Sequence, residues 1–304
     1  MNAPMDGAGA GRFFNPQVAV LVTVTFMLGM SEFVVVGILP DIASGLRVSE
    51  VTAGNLVALF AFVYAPCTPL GSALSARFPR FATYMALMAV VLPRNSHPAR
   101  IGFLRQFRLF FDRRIQLGVA DVVFGAAASY VFYTYLTPIM RDEIGVPEHM
   151  ISIGLVIYGC ACLWSNLYGG TLADKGHGVE PLTHMRPVYG AQAVCLCLLA
   201  FASLVPVAGA LLLVALGMFM YLQNASSQVL YMDVAYQSHP GSVNLAASLN
   251  SMSFNIGIAI GSAVGGMVND ALGLAWLGPF GAIFALLAVG TTTLLRPYVS
   301  PVGE

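Results

Sequence analysis

Apolar runs long enough to cross a lipid bilayer recur along almost the whole chain. They occupy, roughly, 17–39, 53–74, 115–137, 150–172, 187–205, 207–230, 245–268 and 274–295. The first, Gln17 to Leu39, is 23 residues with Glu32 as its only charge. At 1.5 Å per residue it makes about 34 Å of helix, against a hydrocarbon core of about 30 Å. A ninth apolar stretch, "FATYMALMAVVL" at 81–92, has only 12 residues and lies between arginines. As a helix it reaches about 18 Å, too little to span. Strand-length alternation of apolar and polar residues, the mark of a membrane barrel, is absent from the sequence. The pattern predicts an all-α polytopic membrane protein with eight full spans and one short hydrophobic segment.

Charge bias tests that count, because cytoplasmic loops collect lysine and arginine. With the N-terminus inside and 81–92 not crossing, the inside holds Arg12, Arg77, Arg80, Arg94, Arg100, Arg105, Arg108, Arg113, Arg114, Lys175, Arg186 and Arg296. The outside then holds only Arg47 and Arg141, a split of 12 to 2. If 81–92 crossed, the split would invert to 4 against 10. Both termini are therefore expected in the cytoplasm. "RNSHPARIGFLRQFRLFFDRR" (94–114) becomes a basic cytoplasmic connector, either an amphipathic helix on the membrane surface or a solvated linker.

Composition narrows the function. Charged residues make up 9% of the chain and hydrophobic ones 58%, with a mean hydropathy of +0.78; soluble domains carry about 25% charge. A net charge of zero gives no reason to expect a nucleic-acid partner. Cys67, Cys160, Cys162, Cys195 and Cys197 all fall within apolar segments and read as small buried residues, not metal ligands. No secretory signal is evident, since Gln17 to Leu39 is too long for one. The chain has no H-E-x-x-H, no G-x-S-x-G and no Walker-type G-x-x-x-x-G-K-[ST], and its five histidines read as scattered loop residues. Neither an enzyme nor an ATP-driven pump is indicated.

Sliding the chain against itself by 98 residues reveals a repeat. Pro40 falls on Pro138, Val48 on Val146, Gly71 on Gly169, Leu74 on Leu172 and Arg77 on Lys175. Spans 17–39 and 53–74 thus correspond to 115–137 and 150–172 in the same orientation. Parallel repeats of helix groups are a transporter architecture, with the substrate site between the repeats.

Several stretches resemble a known family. "GTLADKG" (170–176) resembles the cytoplasmic loop signature of the major facilitator superfamily. "SEFVVVGILPDIASGLRVSEVTAGNLV" (31–57) resembles the first helix and outer loop of its drug:proton antiporter branch, which includes chloramphenicol and arabinose-type effluxers. "YTYLTPIM" (133–140) and "GSVNLAASLNSMSFNIGIAIGSAVGG" (241–266) resemble that group's seventh and eleventh helices. The family has twelve helices in two six-helix halves. The resemblance therefore implies a reduced N-terminal half at 1–93, the connector at 94–114 and a complete six-helix C-terminal bundle at 115–304. Helices four and five would be missing, with three and six merged into 81–92. The N-terminal loop copy, "GSALSARFPR" (71–80), carries Ala76 where the other copy has Asp174.

Two carboxylates lie within spans. An ionised Glu32 near the bilayer centre costs about 2.5–3.5 kcal/mol, and neutralising it at pH 7 from a reference pKa of about 4.3 costs roughly 3.7 kcal/mol. The costs nearly match, so small changes in hydration move its proton, as a proton-coupled antiporter requires; a glutamate bonded permanently to a neighbouring helix is the plain alternative. Asp121 lies nearer the cytoplasmic end and reads either as a second proton site or as a solvated or arginine-paired acid. Helical spacing from it runs through Gly125, Ala128, Phe132 and Tyr135, a face suited to lining a cavity. Asn244, Ser248, Ser251, Asn255, Ser262 and Gly265 form a polar or small stripe, with Asn255 the candidate cavity residue and Gly257, Gly261 and Gly265 a seam for close helix contact. Asn224 and Gln228, in a cluster of polar residues, suit either an inner vestibule or interhelical hydrogen bonds. Gly71, Arg77, Gly170, Asp174, Lys175 and Gly176 suit a conformational latch. The function expected is a cell-membrane secondary transporter, driven by the proton gradient without a cofactor, exporting small amphiphilic drug-like or sugar-like molecules. Its partners would be the lipid bilayer and that substrate. The alternative is an internally deleted relic that inserts without transporting.

Overall fold

The computed structural model describes residues 39–75, 106–174, 176 and 179–298. All regular structure among them is helical: α1 Leu39–Leu46, α2 Glu50–Ser75, α3 Arg113–Tyr133, α4 Glu148–Ala173, α5 Arg186–Leu199, α6 Pro206–Phe219, α7 Gln223–Ser238, α8 Val243–Leu272 and α9 Leu277–Leu295. Short turns of 3₁₀ or π helix join them. Proline opens α6 and sits in the first turn of α5, where its missing N–H has no helical partner to lose. Gly273, at φ 88°, ends α8 in a conformation closed to most side chains.

Five segments are long and apolar enough to cross a membrane: Arg113–Tyr133, Glu148–Ala173, Pro206–Ser238, Pro240–Leu272 and Leu274–Tyr298. A shorter apolar helix covers Val51–Cys67 within α2. α5 has only 14 residues, about 21 Å. It continues through a turn into a 3₁₀ helix at Ala202–Leu204, so the expected span at 187–205 is a bent one. Most of the expected first span, the short stretch 81–92 and residues 94–105 of the connector lie outside the described residues, and among the described ones five of the eight expected spans have the length and apolarity to cross.

The internal repeat is legible in the backbone. α2 and α4 each have 26 residues, and each boundary of one falls 98 positions from the other. Arg47 and Gly145, also 98 apart, both adopt the left-handed conformation, at φ 56° and 75°. A side chain in that conformation costs roughly 1–2 kcal/mol, part of which glycine recovers. Arg47→Gly is therefore expected to stabilise the protein by roughly 0.5–1 kcal/mol, and Gly145→Arg to destabilise it, read as opposite shifts of the thermal unfolding midpoint in detergent.

α3 is the central post. α8 lies along one side through the glycine seam read from the sequence. A Cβ on Gly257 would come within 2.6 Å of the Val123 carbonyl oxygen and one on Gly261 within 2.7 Å of that of Ala127, while Gly265 meets Val131. α9 approaches the other side, with Gly281 against the Ala128 carbonyl. α2 packs along α8, burying Ala53, Ala61 and Ala65 and turning Leu59, Phe62 and Val63 outward. α6 and α7 are two halves of a single 33-residue span, broken at Met220–Leu222. α4 packs on both halves, and Gly169 lets its backbone close against Leu222 at the break.

Two sequence expectations need correction. Cys67, Cys160 and Cys197 are exposed, and Cys162 and Cys195 half-buried; they sit on helix faces turned toward the apolar surroundings, where a thiol is tolerated as well as in a core. The connector's last residues are only partly a surface feature: Arg108, Phe111 and Arg113 are exposed, whereas Gln106 and Leu109 are buried. Phe107–Phe111 forms a 3₁₀ turn that buries Leu109, and Asp112 caps α3 by accepting from the Arg114 backbone N–H at 2.9 Å. The Arg114 guanidinium bonds both Asp112, at 2.9 Å, and Ser238 at the end of α7, also at 2.9 Å.

Candidate functional site

Four helices turn aromatic rings and amides toward a common face beside the broken span. α3 supplies Tyr130 and Tyr133, whose rings meet edge-on at 5.2 Å. Tyr133 stacks on Tyr158 of α4 at 5.5 Å. Tyr130 meets Phe254 of α8 at 5.9 Å, and Phe254 stacks on Tyr221, within the break, at 5.6 Å. Tyr130 and Tyr158 are buried, while Tyr133, Tyr221 and Phe254 are half-buried and present part of each ring outward. Offset and edge-on pairs of this kind add about 0.5–1.5 kcal/mol each beyond their burial. The break is fixed by polar contacts: the Tyr221 N–H donates to Ser165 at 3.0 Å, and the Tyr158 hydroxyl to the Met220 sulfur at 3.4 Å.

An amide chain continues the shelf. Ser227 donates to Asn250 Oδ1 at 2.7 Å, Asn250 Nδ2 to Asn224 Oδ1, and Asn224 Nδ2 to Asn166 Oδ1 at 3.1 Å. It crosses α7, α8 and α4 with every amide donating in the same direction. Asn166 is exposed, and Asn224 and Asn250 are half-buried. Helical spacing puts the groups on shared faces: Tyr158, Cys162 and Asn166 step by four along α4, and Asn250 and Phe254 along α8. None of these residues is charged. Aromatic faces with neutral donors and acceptors suit an uncharged or weakly polar amphiphile.

A second polar centre lies deeper. Asp121 is completely buried. Tyr189 of α5 reaches its Oδ2 at 2.8 Å and Thr291 of α9 its Oδ1 at 3.0 Å. Tyr189 also contacts Gln223 Oε1 of α7 at 2.6 Å. Gly125, one turn from Asp121, leaves the space that the Gln223 amide fills. Asp121 is therefore closed off from the surface among the described residues. No lysine or arginine bridges it among the described residues.

The remaining expected site residues divide. Tyr135 is fully buried at the α2–α8 contact, beside Gly54 and Gly266, so it fills a seam and lines no open cavity. The face from Asp121 through Gly125, Ala128 and Phe132 is likewise packed. Asn255 is 5% exposed, with Nδ2 folded back onto the Ser251 carbonyl at 2.9 Å. Gln228 is half-buried, one turn beyond Asn224 on α7. Gly170 and Asp174 close the last turn of α4 through an N–H to carbonyl bond of 3.1 Å, and Gly176 sits beside Glu180. Gly71 lies in the corresponding turn of α2. Glu32, Arg77 and Lys175 lie outside the described residues. The sequence pattern left out Tyr133, Tyr158, Asn166, Tyr221, Asn250 and Phe254 at the shelf and Tyr189 and Thr291 around Asp121, whereas Gln223 belongs to the polar cluster at 223–228 that also holds Asn224 and Gln228.

Comparison with known proteins agrees with this architecture. The MFS-type transporter YtbD of Bacillus subtilis is 27% identical over 194 residues, which are 63% of this chain and 48% of YtbD. The chain thus aligns with about half the length of that relative. The MFS-type transporter YbcL of the same organism is 22% identical over 376 positions, taking in 90% of this chain and 94% of YbcL. Nine-tenths of 304 residues cannot fill 376 positions, so about 100 positions of that alignment have no counterpart here. The inner membrane transport protein YdhP of Escherichia coli is 26% identical over 268 residues, 86% of this chain and 67% of YdhP. The family model for the Major Facilitator Superfamily matches residues 122–303, the whole bundle from α3 onward. With the glycine-sealed bundle of α3, α8 and α9 in the part so matched, this chain belongs to the Major Facilitator Superfamily.

Proposed function

We propose that the protein is a proton-coupled secondary transporter of the drug:proton antiporter type, exporting small, largely uncharged amphiphilic molecules across the cell membrane. The observation that carries this is the charge-free shelf of half-buried rings and amides on α3, α4, α7 and α8, set beside a broken span. Family relatives that are MFS-type transporters and an inner membrane transport protein support membrane transport, the coarser part of this reading. Glu32 is the proposed site of proton exchange on the N-terminal side, Asp121 on the C-terminal side. Tyr133, Tyr221, Phe254 and Asn224 contact the substrate, and the α2 and α4 ends with Arg77, Asp174 and Lys175 act as latches. Eight crossings with both ends in the cytoplasm follow from the charge bias.

Purified protein in proteoliposomes, given a pH gradient, tests this with chloramphenicol as a neutral aromatic probe and arabinose as a sugar probe. Gradient-driven movement of at least one is expected, and Glu32→Gln abolishes it while leaving insertion intact. Export by Glu32→Gln at the wild-type rate removes Glu32 from the mechanism. A wild-type protein that inserts and folds but moves neither probe favours an internally shortened chain that does not transport.

A further inference from the structure

Four short oxygen–oxygen approaches meet around Asp121, and the hydroxyls there own two protons between them. Tyr189 Oη lies 2.8 Å from Asp121 Oδ2 and 2.6 Å from Gln223 Oε1. Thr291 Oγ1 lies 3.0 Å from Asp121 Oδ1 and 2.9 Å from the Ala288 carbonyl. Each hydroxyl donates one proton, so an ionised Asp121 leaves one approach in each pair without a donor. A proton on the carboxyl fills the first gap: the acid O–H donates to Tyr189, and the Tyr189 O–H turns to Gln223 Oε1. When the acid loses its proton, the phenol turns back to the carboxylate, and Gln223 keeps its contact only by rotating its amide so that Nε2 donates to the Tyr189 oxygen. The two ends of an amide are nearly equal in size, and the missing Cβ of Gly125 leaves room beside both. Gln223 Nε2 is buried and has no acceptor in the present arrangement.

A cleft and the amide chain adjoin the helices that carry the site. A cleft of about 480 Å³ opens at the arginine-rich ends of α5 and α9, lined by Glu180, His184, Arg186, Thr292 and Arg296 among others. Thr292 adjoins Thr291 and Arg186 lies one turn before Tyr189, which puts the cleft on the same turns of α5 and α9 as the Asp121 centre, although none of Asp121, Tyr189, Gln223 and Thr291 lines it. On the other side, Gln223 is followed by Asn224 of the amide chain. Ser227 Oγ lies 3.0 and 2.9 Å from the Gln223 and Asn224 backbone carbonyls and 2.7 Å from Asn250 Oδ1, and its single proton serves one of the three at a time. The titratable groups that face Asp121 are Tyr189 from α5 and Tyr231 from α7, the latter against Ser253. α9 carries no titratable residue, and the only one on α8, Asp270, is at its far end.

We propose that Asp121, Tyr189 and Gln223 form a two-state proton relay, loaded from the cleft at the arginine-rich ends of α5 and α9. The orientation of the Gln223 amide passes the state of that proton to the substrate-facing residues of α7. This deepens the proton-coupled transport proposed above and rests on it for its physiological purpose, though not for its chemistry. Proton uptake forms one carboxyl O–H bond, reorients the phenol O–H and rotates one amide; no other bond is made or broken.

Infrared difference spectroscopy on the full chain in lipid vesicles, across a pH jump, reads both ends of the relay. The expected spectrum contains a protonated-carboxyl C=O band that is lost in Asp121→Asn and moved to higher frequency in Tyr189→Phe, where the acid has lost its hydrogen-bond acceptor. It also contains a side-chain amide band that disappears in Gln223→Leu and, because the amide follows the proton, in Asp121→Asn as well. Thr293→Trp, which narrows the cleft, is expected to slow the carboxyl band's appearance several-fold without displacing it. An amide band that survives in Asp121→Asn, or a carboxyl band indifferent to Tyr189→Phe, overturns the relay. The proteoliposome assay separates the two proposals. Transport with no Asp121 band leaves the transporter and removes the relay, whereas the bands without transport leave the relay and remove the transporter.

Discussion

Gly261→Leu is expected to prevent the bundle from folding. The nearest atom to the missing Cβ is the Ala127 carbonyl oxygen at 2.7 Å, followed by Ala127 Cα and Tyr130 Cβ at 3.0 Å. Two of these are backbone atoms of α3, which cannot swing aside as a side-chain tip does. α3 is held from the opposite side by Gly281 of α9, where a Cβ would sit 2.8 Å from the Ala128 carbonyl. Moving α3 to admit a leucine therefore breaks the second contact as well. Overpacking by extra methylenes costs about 1–3 kcal/mol where neighbours can adjust, and here the cost is expected to exceed about 3 kcal/mol. Gly290 on α9 is the matching control, because its Cβ would meet nothing within 4 Å. Gly290→Leu is expected to leave the thermal unfolding midpoint and the size-exclusion profile in detergent unchanged, while Gly261→Leu aggregates. Equal behaviour of the two would mean that the seam does not hold α8 on α3.

Features written in local periodicity were legible before the structure, and features that depend on contacts between distant helices were not. The offset of 98 needed only matching landmarks such as Pro40 with Pro138 and Gly71 with Gly169. It then delivered α2 and α4 with the same length and register, down to the left-handed Arg47 and Gly145. The spacing of Gly257, Gly261 and Gly265 likewise showed a close-packing face without showing that α3 fills it. Asp121 went differently. Its depth along a span suggested access to water or an arginine, but the partners that bury it are Tyr189 and Thr291, 68 and 170 residues away. Tyr135 and Asn255 read as cavity residues because a polar group on an apolar helix looks exposed until its neighbours are placed. Small residues on the two facing helices, Gly54 of α2 and Gly266 of α8 for Tyr135, close that space. The aromatic shelf was hidden because tyrosine and phenylalanine in a hydrophobic span carry no signal to separate a lipid-facing ring from a substrate-facing one.

The break at Met220–Leu222 joins the two polar centres through neighbouring residues of one turn. Gln223 points into the Asp121 cluster, and Asn224 points out to Asn166 and Asn250. A helix start places successive side chains about 100° apart, so two adjacent residues serve different faces. Any shift of α7 about the break moves both centres together. A proton bound on one side and a molecule bound on the other can therefore bias the same displacement, as coupling between two sites requires.

Asn250→Leu separates a binding role for the amide chain from a merely structural one. The substitution removes the acceptor for Ser227 and the donor to Asn224, so two links of the chain are lost at once. Hydrogen bonds between helices in a membrane average about 0.6 kcal/mol and reach about 1.7 kcal/mol, which puts the loss of stability at roughly 1–2 kcal/mol. Leucine preserves the volume and the contact with α7, so the folded yield is expected to fall less than twofold. Transport of a neutral aromatic probe is expected to fall at least tenfold, because the freed Asn224 no longer presents its amide in a fixed direction, and a tenfold loss corresponds to only about 1.4 kcal/mol of binding. Phe254→Leu, one turn along α8, removes the ring stacked on Tyr221 and is expected to weaken the aromatic probe while sparing a sugar probe. If both variants lose transport only in proportion to their folded yield, the chain is helix packing and the substrate binds elsewhere. A loss that follows the chemistry of the probe, ring for Phe254 and amide for Asn250, places the molecule on this shelf.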